Sequence, residues 1–292
     1  MTVGKLGVIG GSGLYNLPEL EIIERRIVET PFGTPSDALT IGRLQERDIV
    51  FLPRHGGGHV HTPSELPYRA NIYALKALGV THLLTVSAVG SLKEELPPLT
   101  IVIPDQIIDR TMIRPRSFFG DGVVAHVGLA EPFCSVFSDT VTAAANGAGI
   151  SVVQGGCYVC IEGPQFSTRA ESNLYRSWGA SVIGMTSMPE ARLAREAELC
   201  YATIAMVTDY DVWHDTEEAV TVDMVIANLM KNAESARTLV KSIADLGLPD
   251  RRCSCSSALE NGIITDREAI TPEIRTRLGV IANRYLGTQS SA

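Results

Sequence analysis

The sequence lacks the features of several classes of protein. No apolar run approaches the length of about 18 residues that indicates a bilayer span, so we predict no membrane segment. The first ten residues contain no basic stretch followed by an apolar one, and we expect no secretory signal and a cytoplasmic location. Basic side chains are the minority, with 25 Lys and Arg against 33 Asp and Glu and a formal net charge of −8. This balance argues against a nucleic-acid-binding protein, which normally presents a basic surface.

Cysteine is also scarce, at 6 residues in 292. Without a secretory signal, this number predicts reduced thiols rather than a disulfide framework. Cys157 and Cys160 have the C-x-x-C spacing of some metal and redox sites, but they lie in an apolar run that predicts a strand, so we favour buried thiols. Cys253 and Cys255 lie in a polar stretch that we expect to be exposed, where they either close a strained local disulfide or have no role.

Apolar residues make up 45% of the chain, and short β-branched runs alternate with helical patterns. The alternation predicts an α/β fold, a single domain over residues 1–292 with a central mixed, largely buried sheet flanked by helices. We predict strands at residues 5–9, 48–52, 81–86, 101–108, 151–161, 181–183 and 201–207. We predict helices at residues 68–78, 133–148, 222–246 and 271–285, with a loop at 248–262 before the last. Two further helices should begin at the capping-box patterns of Thr168 and Ser187.

A glycine-rich turn with the sequence GGSG follows the first predicted strand, at residues 10–13. Backbone amides in such a turn approach an anion closely, and Ser12 adds a hydroxyl donor. The spacing is not that of a dinucleotide fingerprint, because position 16 is Asn16 and Pro18 interrupts the expected helix. A phosphate-sized anion site and a plain tight turn remain equally good interpretations of this segment.

The segment PRHGGGHVH, at the end of the second predicted strand, combines a guanidinium with three imidazoles. Arg54 supplies a planar donor fork that suits a phosphate, and His55 adds a further donor. Three histidines within seven residues also fit zinc, but the sequence indicates no fourth ligand. We favour anion binding over a metal, with a structural glycine-rich loop as the remaining alternative.

Hydroxyl and carboxyl groups follow three further predicted strands. Ser87 and Ala88 come at the end of one strand, and Thr186 lies between another and a helix. Asp209 and Asp211 follow the strand that ends at residue 207. Ligands collect beyond the carboxyl ends of strands in α/β sheets, so these groups are candidates for one site. A carboxyl in a partly dry pocket has a raised pKa and can act as an acid, but two solvated loop acids are the simpler interpretation of this pair taken alone.

Ten segments occur in a characteristic order between residues 6 and about 230. They are IGGSGLY, TPFGTPSDAL, PRHG, SAVGSL, DQIIDRT, RPRSFF, AEPFC, IEGPQFSTRAES, GMTSMPEA and ATIAMVTDYDVW. With these segments the chain resembles the methylthioadenosine phosphorylase branch of the trimeric purine nucleoside phosphorylase family. The resemblance implies phosphorolysis of S-methyl-5′-thioadenosine to adenine and 5-methylthioribose 1-phosphate, in purine and methionine salvage. It also implies a homotrimer that uses inorganic phosphate as a co-substrate and needs no cofactor and no metal.

The resemblance also implies roles for individual residues. Phosphate would be bound by Ser12, Arg54, His55, Ser87, Thr186 and the amide of Ala88. The nucleoside would be bound by Met185 against the ribose, by Phe166 near the base, and by Asp209, Tyr210 and Asp211 facing the purine, with Asp209 as the proton donor to N7. Ser167, Val222 and Val225 would set specificity, and His126 would reach the 5′ pocket of a neighbouring subunit. Gly184 departs from the pattern, since many relatives carry Asn at this position.

Other functions remain alternatives to this one. The nearest are a phosphorylase for 6-oxopurine nucleosides or methylthioinosine, and a broad adenosine and methylthioadenosine phosphorylase. A hydrolytic nucleosidase would not need Arg54 and His55 around an anion. A dinucleotide-dependent oxidoreductase would explain the glycine-rich turn but not its spacing, and a non-catalytic nucleoside sensor would bind the ligand without consuming it.

Overall fold

The fold is built around one long central strand, β5 (Val80–Ser91). The computed structural model describes residues 4–11, 14, 17–214 and 222–287. The other strands are β1 (Lys5–Gly10), β2 (Glu21–Arg26), β3 (Leu39–Leu44), β4 (Arg47–Pro53), β6 (Ile101–Ile103), β7 (Gln106–Arg110), β8 (Val152–Gln154), β9 (Cys157–Ile161), β10 (Val182–Gly184) and β11 (Cys200–Asp209). The α-helices are α1 (Tyr68–Ala77), α2 (Ser135–Gly147), α3 (Arg169–Ser177), α4 (Ser187–Glu196), α5 (Val222–Leu246), α6 (Pro272–Leu278) and α7 (Asn283–Leu286), and short 3-10 helices cover Ser254–Ser257 and Gly279–Ile281.

The strands form one mixed sheet in which β5 is the branch point. Strands β1 and β11 run parallel to β5, whereas β10 pairs antiparallel with its last residues. From β1 the sheet continues through β4, β3 and β2, and from β10 it continues through β9 and β7. Strand β4 is parallel to β1, so the carboxyl ends of β1, β4, β5 and β11 meet at one edge. This edge is where an α/β sheet normally binds its ligand.

Helices cover both faces of the sheet. On one face, α1 and α4 contribute Ile72, Leu75 and Leu193 to the larger hydrophobic core. On the other face, α2 and α5 pack against each other and contribute Phe137 and Leu239 to the second core. All residues of β11 are buried, as expected for a parallel strand covered on both sides. The predicted α/β fold with a buried, helix-flanked mixed sheet is therefore confirmed.

Two predicted strands are each divided in the structure, and the two breaks face each other. Residues 101–108 form β6 and β7 with Pro104 and Asp105 between them, and residues 151–161 form β8 and β9 with Gly155 and Gly156 between them. The Asp105 carboxylate accepts a hydrogen bond from the Gly156 amide at 3.1 Å, and both glycines have positive φ. Because proline lacks an amide donor and the glycines turn the chain, β6 pairs with β8 while β7 pairs with β9 elsewhere in the sheet.

Other predicted boundaries also shift. The strand predicted to end at residue 86 continues to Ser91, because β11 and then β10 supply backbone partners for the Ser- and Gly-rich residues. Strands β2 and β3 have no counterpart in the prediction. The helix predicted at 271–285 is divided into α6, a 3-10 turn and α7, with Gly279 at a φ of 43°. No helix in the described ranges combines the length and the apolarity that a membrane crossing requires.

The two predicted capping boxes have different outcomes. Thr168 accepts a hydrogen bond from the Glu171 amide, and the Glu171 carboxylate accepts one from the Thr168 amide, which confirms the first box. The box predicted at Ser187 is wrong, because the Ser187 hydroxyl makes no capping hydrogen bond and the helix begins irregularly. The Glu190 carboxylate, which would complete that box, binds Arg54 instead.

Candidate active site

A cavity of about 310 Å³ opens at the edge where the parallel strands end. Its wall brings together many of the groups that the sequence singles out. These are Arg54 and His55 after β4, Ser87 and Ala88 in β5, Phe166 and Ser167 before α3, Met185 and Thr186 after β10, and Asp209 and Asp211 at the end of β11. Further wall residues are Gly11, His59, Pro63, Val89, Gly90, Ile161, Pro164, Ile183, Gly184 and Thr208. The cavity combines charged, hydroxyl and apolar groups from segments that are far apart in the sequence.

Arg54 is buried, and a carboxylate holds its guanidinium. Nε and Nη2 donate to the Glu190 carboxylate at 2.6 and 3.2 Å, and Nη1 donates to the Val86 carbonyl at 2.7 Å. Burial opposes the charge of Arg54, but the Glu190 carboxylate outweighs it and raises the pKa of Arg54. A guanidinium has five N–H donors, so two remain for an anion in the cavity. Glu190 and the Val86 carbonyl therefore already occupy three of the five donors of the guanidinium that the sequence predicts for a phosphate.

His55, the next residue in the chain, is neutral near pH 7. Burial lowers the pKa of His55 to about 4, and the neighbouring Arg54 charge acts in the same direction. Nδ1 lies 2.9 Å from the His61 carbonyl oxygen, so Nδ1 carries the proton and Nε2 is an acceptor. The ring stacks on His59 with 4.2 Å between centroids. In this state His55 can only accept a hydrogen bond from a ligand at Nε2, whereas the sequence predicts a second donor.

Three buried polar atoms of the cavity wall have no hydrogen-bond partner among the described residues. They are Ser87 Oγ, Ser167 Oγ and Asp211 Oδ2. A buried polar atom without a partner costs about 1–3 kcal/mol. Thr186 adds another nearly buried hydroxyl to the same wall. A cavity with this many unsatisfied polar groups is suited to a polar ligand that pairs with them.

Strand β5 separates two chemically different ends of the cavity. At Val86 its carbonyl accepts a hydrogen bond from the Arg54 guanidinium, and the next residue, Ser87, lines the same part of the wall. At Gly90 it lies beside the two acids, since a Cβ on Gly90 would be 3.0 Å from Asp209 Oδ1. Three strand residues from Ser87 to Gly90 span about 10 Å. The cavity therefore has an end lined by arginine and hydroxyls and an acidic end about 10 Å away.

A β-bulge in β11 positions Asp209. Asp209 pairs with Gly90 after a register shift, which makes Thr208 an extra residue in the strand. The Asp209 carboxylate accepts hydrogen bonds from the Thr208 hydroxyl at 2.7 Å and from the Asp211 amide at 2.8 Å. Burial outweighs these hydrogen bonds and raises the pKa of Asp209. The chain thus presents a nearly buried acid at the point where the strand ends.

Asp211 is the second acid and has a strained backbone. Its φ is 54°, a left-handed value that few residues other than glycine adopt. Burial, together with the nearby Asp209 carboxylate, raises the pKa of Asp211 to about 6. Strained backbone of this kind concentrates at functional sites, where the surrounding structure maintains it.

Apolar side chains form the remaining wall, among them Met185, Ile161 and Ile183. Phe166 is half exposed at the cavity. Gly184, beside Met185, has no space for a side chain, since a Cβ there would lie 2.7 Å from Tyr158 Cζ and closer still to its hydroxyl. The Asn that the resemblance leads one to expect at this position would therefore collide with buried Tyr158.

The structure does not bring two of the predicted residues to the cavity wall. The Tyr210 ring stacks on His214 with 4.5 Å between centroids, and its hydroxyl donates to the Glu94 carbonyl at 3.2 Å. Tyr210 thus points away from the acidic end although Asp209 and Asp211 flank it in sequence. His126 is exposed and is not part of the cavity of its own chain.

Three further predicted residues are not covered by the structure. Ser12 lies outside the described residues. Val222 and Val225 belong to the first turn of α5, but their side chains also lie outside what the structure describes. Their proposed roles stay predictions.

Sequence reasoning missed several residues of the site. Glu190 has no local signal as a partner of Arg54, because 136 residues separate the two. Thr208 and Gly90 acquire their roles from the bulge, which depends on strand register. His59 lies in the histidine-rich segment and was identified only as one of three histidines. Most of the other polar residues of the cavity wall were identifiable from one sequence pattern, a polar residue directly after an apolar strand.

The six cysteines are all free thiols. Cys160 is fully buried and Cys157 is partly buried, in agreement with the expectation of buried thiols in a strand. The expectation of exposure at the C-terminal pair is wrong for Cys255, which is 3% exposed, and Cys253 is only partly exposed.

Comparison with known proteins gives a consistent result. The chain matches the model of the Phosphorylase superfamily over residues 5–245. The relatives that it matches include two proteins named S-methyl-5′-thioadenosine phosphorylase. That of Koribacter versatilis is 52% identical over 287 residues, covering 98% of each chain, and that of Geobacter sulfurreducens is 53% identical over 282 residues, covering 96% of this chain and 99% of the relative.

Solved structures are similar as well. A methylthioadenosine phosphorylase from an antarctic soil metagenomic library has a TM-score of 0.89 and 50% identity, covering 96% of this chain and 99% of that one. A mutant of the adenosine/methylthioadenosine phosphorylase from Schistosoma mansoni in complex with methylthioadenosine has a TM-score of 0.80 and 39% identity, covering 83% of this chain and 91% of that one.

Proposed function

The chain belongs to the Phosphorylase superfamily, and we propose that it catalyses the reversible phosphorolysis of S-methyl-5′-thioadenosine to adenine and 5-methylthioribose 1-phosphate. It would thus be a pentosyltransferase of purine and methionine salvage. The observation that supports this proposal best is the cavity with an arginine- and hydroxyl-lined end and an acidic end about 10 Å apart along β5. A phosphate and a purine on either side of one ribose fit these two ends.

Phosphate binds at the Arg54 end. The two remaining guanidinium donors, the Ser87 and Thr186 hydroxyls and the Ala88 amide supply its hydrogen bonds, with Ser12 from the glycine-rich turn. His55 Nε2 accepts a hydrogen bond from a protonated phosphate oxygen, so the site favours a phosphate that still carries a proton. Holding the anion next to the sugar removes much of the entropic cost of a bimolecular reaction, which can reach about 7–11 kcal/mol in well-oriented systems.

The reaction transfers the ribosyl group from nitrogen to oxygen. A phosphate oxygen forms a bond to C1′ while the bond from C1′ to N9 breaks, and its electron pair goes to the purine. The sugar carbon is cation-like in the transition state, so the adjacent phosphate charge stabilises it. Met185 packs against the ribose as an apolar surface that excludes water.

The purine binds at the acidic end. Asp209, whose pKa burial raises, donates a proton to N7 as N9 receives the electron pair, so that neutral adenine leaves. Asp211, with an unpaired Oδ2 among the described residues, accepts a hydrogen bond from the purine. A carboxyl oxygen at this end accepts a hydrogen bond from the 6-amino group of adenine, whereas a 6-oxopurine has no donor at this position. The missing buried hydrogen bond costs a 6-oxopurine about 1–3 kcal/mol. Phe166 contacts the base.

The 5′ pocket involves Ser167, Val222 and Val225, and His126 of a neighbouring subunit in a cytoplasmic homotrimer. Exposed apolar side chains at the chain's surface support an assembly. Met112 and Ile113 are 79% and 77% exposed, and the Met112 amide contacts Glu162, which follows the cavity residue Ile161. Association that covers these side chains would bring a second chain to the mouth of the cavity. The reaction needs phosphate as a co-substrate and no cofactor.

Incubation with S-methyl-5′-thioadenosine, with and without phosphate, tests the proposed function. We expect adenine and 5-methylthioribose 1-phosphate only when phosphate is present. Adenosine, inosine and methylthioinosine at the same phosphate concentration form the substrate panel. The purine product is measured by chromatography, and an Asp209→Asn variant controls for contaminating activity.

Each other result indicates a different function. Adenine release without phosphate would indicate a hydrolase. Binding of the nucleoside without turnover would indicate a sensor. A preference for inosine or methylthioinosine would assign the enzyme to 6-oxopurine substrates and remove the assigned role of the acidic end.

A further inference from the structure

A second group of reactive side chains lies at the end of β11 that is remote from the cavity. We call it the four-cysteine cluster, and its members are Cys134, Cys200, Cys253 and Cys255. Their Sγ atoms all lie within 4.8 Å of one another, and all four are free thiols. Cys200 begins β11 and Asp209 ends it, so nine residues of strand, about 30 Å, separate the cluster from the reacting groups. The proposed reaction makes no use of it.

We propose that the four-cysteine cluster is a structural zinc site. A tetrahedral zinc ion with thiolate ligands at about 2.3 Å holds its sulfur atoms about 3.8 Å apart. The sulfur atoms of Cys200 and Cys253 are 3.5 Å apart, and no pair exceeds 4.8 Å. Adjustments of about 1 Å or less therefore produce the tetrahedron. The inference does not depend on the activity proposed above.

The surroundings of the cluster are those of a closed metal site. Cys134, Cys200 and Cys255 are 3%, 1% and 3% exposed, and they belong to the hydrophobic core between α2, α5 and the sheet. Cys253 is partly exposed and packs against the same core, which leaves the ion a path from solvent. A site with four protein ligands and no open position is structural rather than catalytic.

A buried arginine supplies compensating charge. Arg195 Nη1 donates to Cys255 Sγ at 3.4 Å, and its Nη2 donates to the Glu131 carbonyl. Zinc with four thiolates has a net charge of about −2, of which Arg195 offsets about half. On binding, the thiols that are still protonated release their protons to solvent.

The donor set selects the metal. Four thiolates suit zinc and exclude magnesium and calcium, which require oxygen ligands. A cluster of several iron atoms would hold its cysteines farther apart than one ion does. A pair of disulfides needs only two close contacts, whereas each sulfur here has three sulfur neighbours within 4.8 Å.

The three segments that meet at the cluster explain what the ion would do. Cys134 precedes α2, Cys200 begins β11, and the other two lie at the 3-10 turn in the segment after α5. Cys200 and Cys253 are 53 residues apart, so the ion closes a long loop that includes β11, α5 and the segment after α5. Metal binding free energy becomes folding free energy in such a site. We therefore expect zinc to stabilise the fold and to leave the chemistry unchanged.

Metal analysis of the full-length chain, purified under reducing conditions without chelator and then exposed to zinc, tests the proposal. We expect about one zinc ion per chain after gel filtration. Replacement of zinc by cobalt(II) should give the intense visible bands of a tetrahedral tetrathiolate complex. The cobalt spectrum of the wild-type chain decides the question even if every variant misfolds.

Single variants identify the ligands. Cys134→Ser and Cys255→Ser should reduce bound zinc at least about tenfold and abolish the cobalt bands. Cys157→Ser removes a thiol outside the cluster and is the matched control, which should retain both. A chelator should lower the melting temperature of the wild type and the control to the same extent, and it should not affect Cys255→Ser. Turnover below the melting temperature should be equal before and after chelation.

Several results would overturn the zinc site. The site does not exist if the wild-type protein stays metal-free after exposure to zinc in reducing buffer. It is also contradicted if the cobalt spectrum of Cys255→Ser is the same as that of the wild type. Bound iron in place of zinc would also contradict it. Alkylation of the denatured, unreduced protein should modify all six cysteines, and protection of two or four of them would assign the cluster to disulfides instead.

Discussion

Asp209 and Asp211 are two nearby acids with different surroundings. Asp209 accepts hydrogen bonds from the Thr208 hydroxyl and the Asp211 amide, whereas Asp211 Oδ2 has no partner among the described residues. Burial raises the pKa of both. Pairs of acids in unequal environments usually divide the roles of proton donor and charge acceptor. Proton transfer by Asp209 and hydrogen bonding by Asp211 therefore lead to different consequences of mutation.

Asp209→Asn should lower kcat/KM for methylthioadenosine about 10²–10⁴-fold, because the amide cannot transfer the proton to N7. Asp211→Asn should lower it only about tenfold through a weakened hydrogen bond. Asp139→Asn, a change at an acid of α2 outside the cavity wall, is the control and should have no effect. Steady-state kinetics and thermal unfolding of the three variants provide the measurement. The opposite order of effects would make Asp211 the proton donor.

Gly184 tests how tightly the cavity wall is packed. A Cβ at this position would overlap the ring of Tyr158, which is fully buried and cannot move away freely. Gly184→Ala should therefore lower the free energy of unfolding by about 1–3 kcal/mol. Gly147→Ala, in α2 with no neighbour within 4 Å, is the control and should be neutral or slightly stabilising. Equal stability of the two variants in chemical denaturation would mean that β9 and β10 are less rigid than the packing indicates.

The helix α4 shows why sequence patterns predict some elements well and others poorly. The S/T-x-x-E pattern is present at both Thr168 and Ser187, but only Thr168 forms the box. Glu171 is exposed and local hydrogen bonds decide its position, whereas Glu190 is buried and binds Arg54, which follows β4. A pattern within one element cannot reveal a partner from a distant one. The same limit explains the misplaced end of β5, whose last residues pair with β10 and β11. The two divided strands are different, because Pro104 and the glycines at 155 and 156 are visible in the sequence.

The polar residues that follow the apolar strand runs were identifiable from the sequence. Arg54, Thr186 and Asp209 each follow an apolar run, and the rule that ligands collect at these ends brings them together. The protonation state of His55 and the engagement of Arg54 were not predictable, because both depend on burial and on which side chain lies opposite. The sequence therefore identifies most residues of the candidate site, but it does not reveal which of them are charged or how Arg54 is neutralised.

The Glu190 side chain links α4 to the end of β4, so Glu190→Gln changes the charge balance between two elements. The variant leaves the buried Arg54 charge without its counter-ion, and we expect a loss of about 3 kcal/mol in the free energy of unfolding. Phosphate should then stabilise the variant more than the wild type, because the anion supplies the missing negative charge. Melting temperatures with and without phosphate measure the difference. An equal phosphate-induced shift in both proteins would place the anion away from Arg54.

The stability of the whole fold should depend on pH through His55. Its folded pKa of about 4 is below the ordinary value of 6.5, so the unfolded chain binds more protons between these values. The stability that neutral His55 contributes is complete above pH 6.5 and is lost as the pH falls towards 4. Between pH 7.5 and pH 5 we expect this loss to be about 2 kcal/mol.

Comparison of the wild type with His55→Gln isolates this contribution. Glutamine does not titrate, so the difference in unfolding free energy between the two proteins should change by about 2 kcal/mol between pH 7.5 and pH 5. Denaturant titrations at the two pH values provide the measurement, and the value at pH 7.5 serves as the internal reference. A difference that does not change with pH would mean that the pKa of His55 is the same in the folded and the unfolded chain.

A homotrimer that shares its 5′ pockets should allow inactive subunits to complement each other. We assume that each site uses Asp209 of its own chain and His126 of a neighbour. A site in a mixed trimer is then intact when its own chain is the His126→Ala variant and the neighbour is the Asp209→Asn variant. In randomly reassembled equal mixtures, about one quarter of the sites meet this condition. Activity should therefore recover to about one quarter of the wild-type value, measured after denaturation and joint refolding. The control is a mixture of the folded variants without subunit exchange, which should give only the sum of their separate activities. If joint refolding also gives only this sum, each site is complete within one chain.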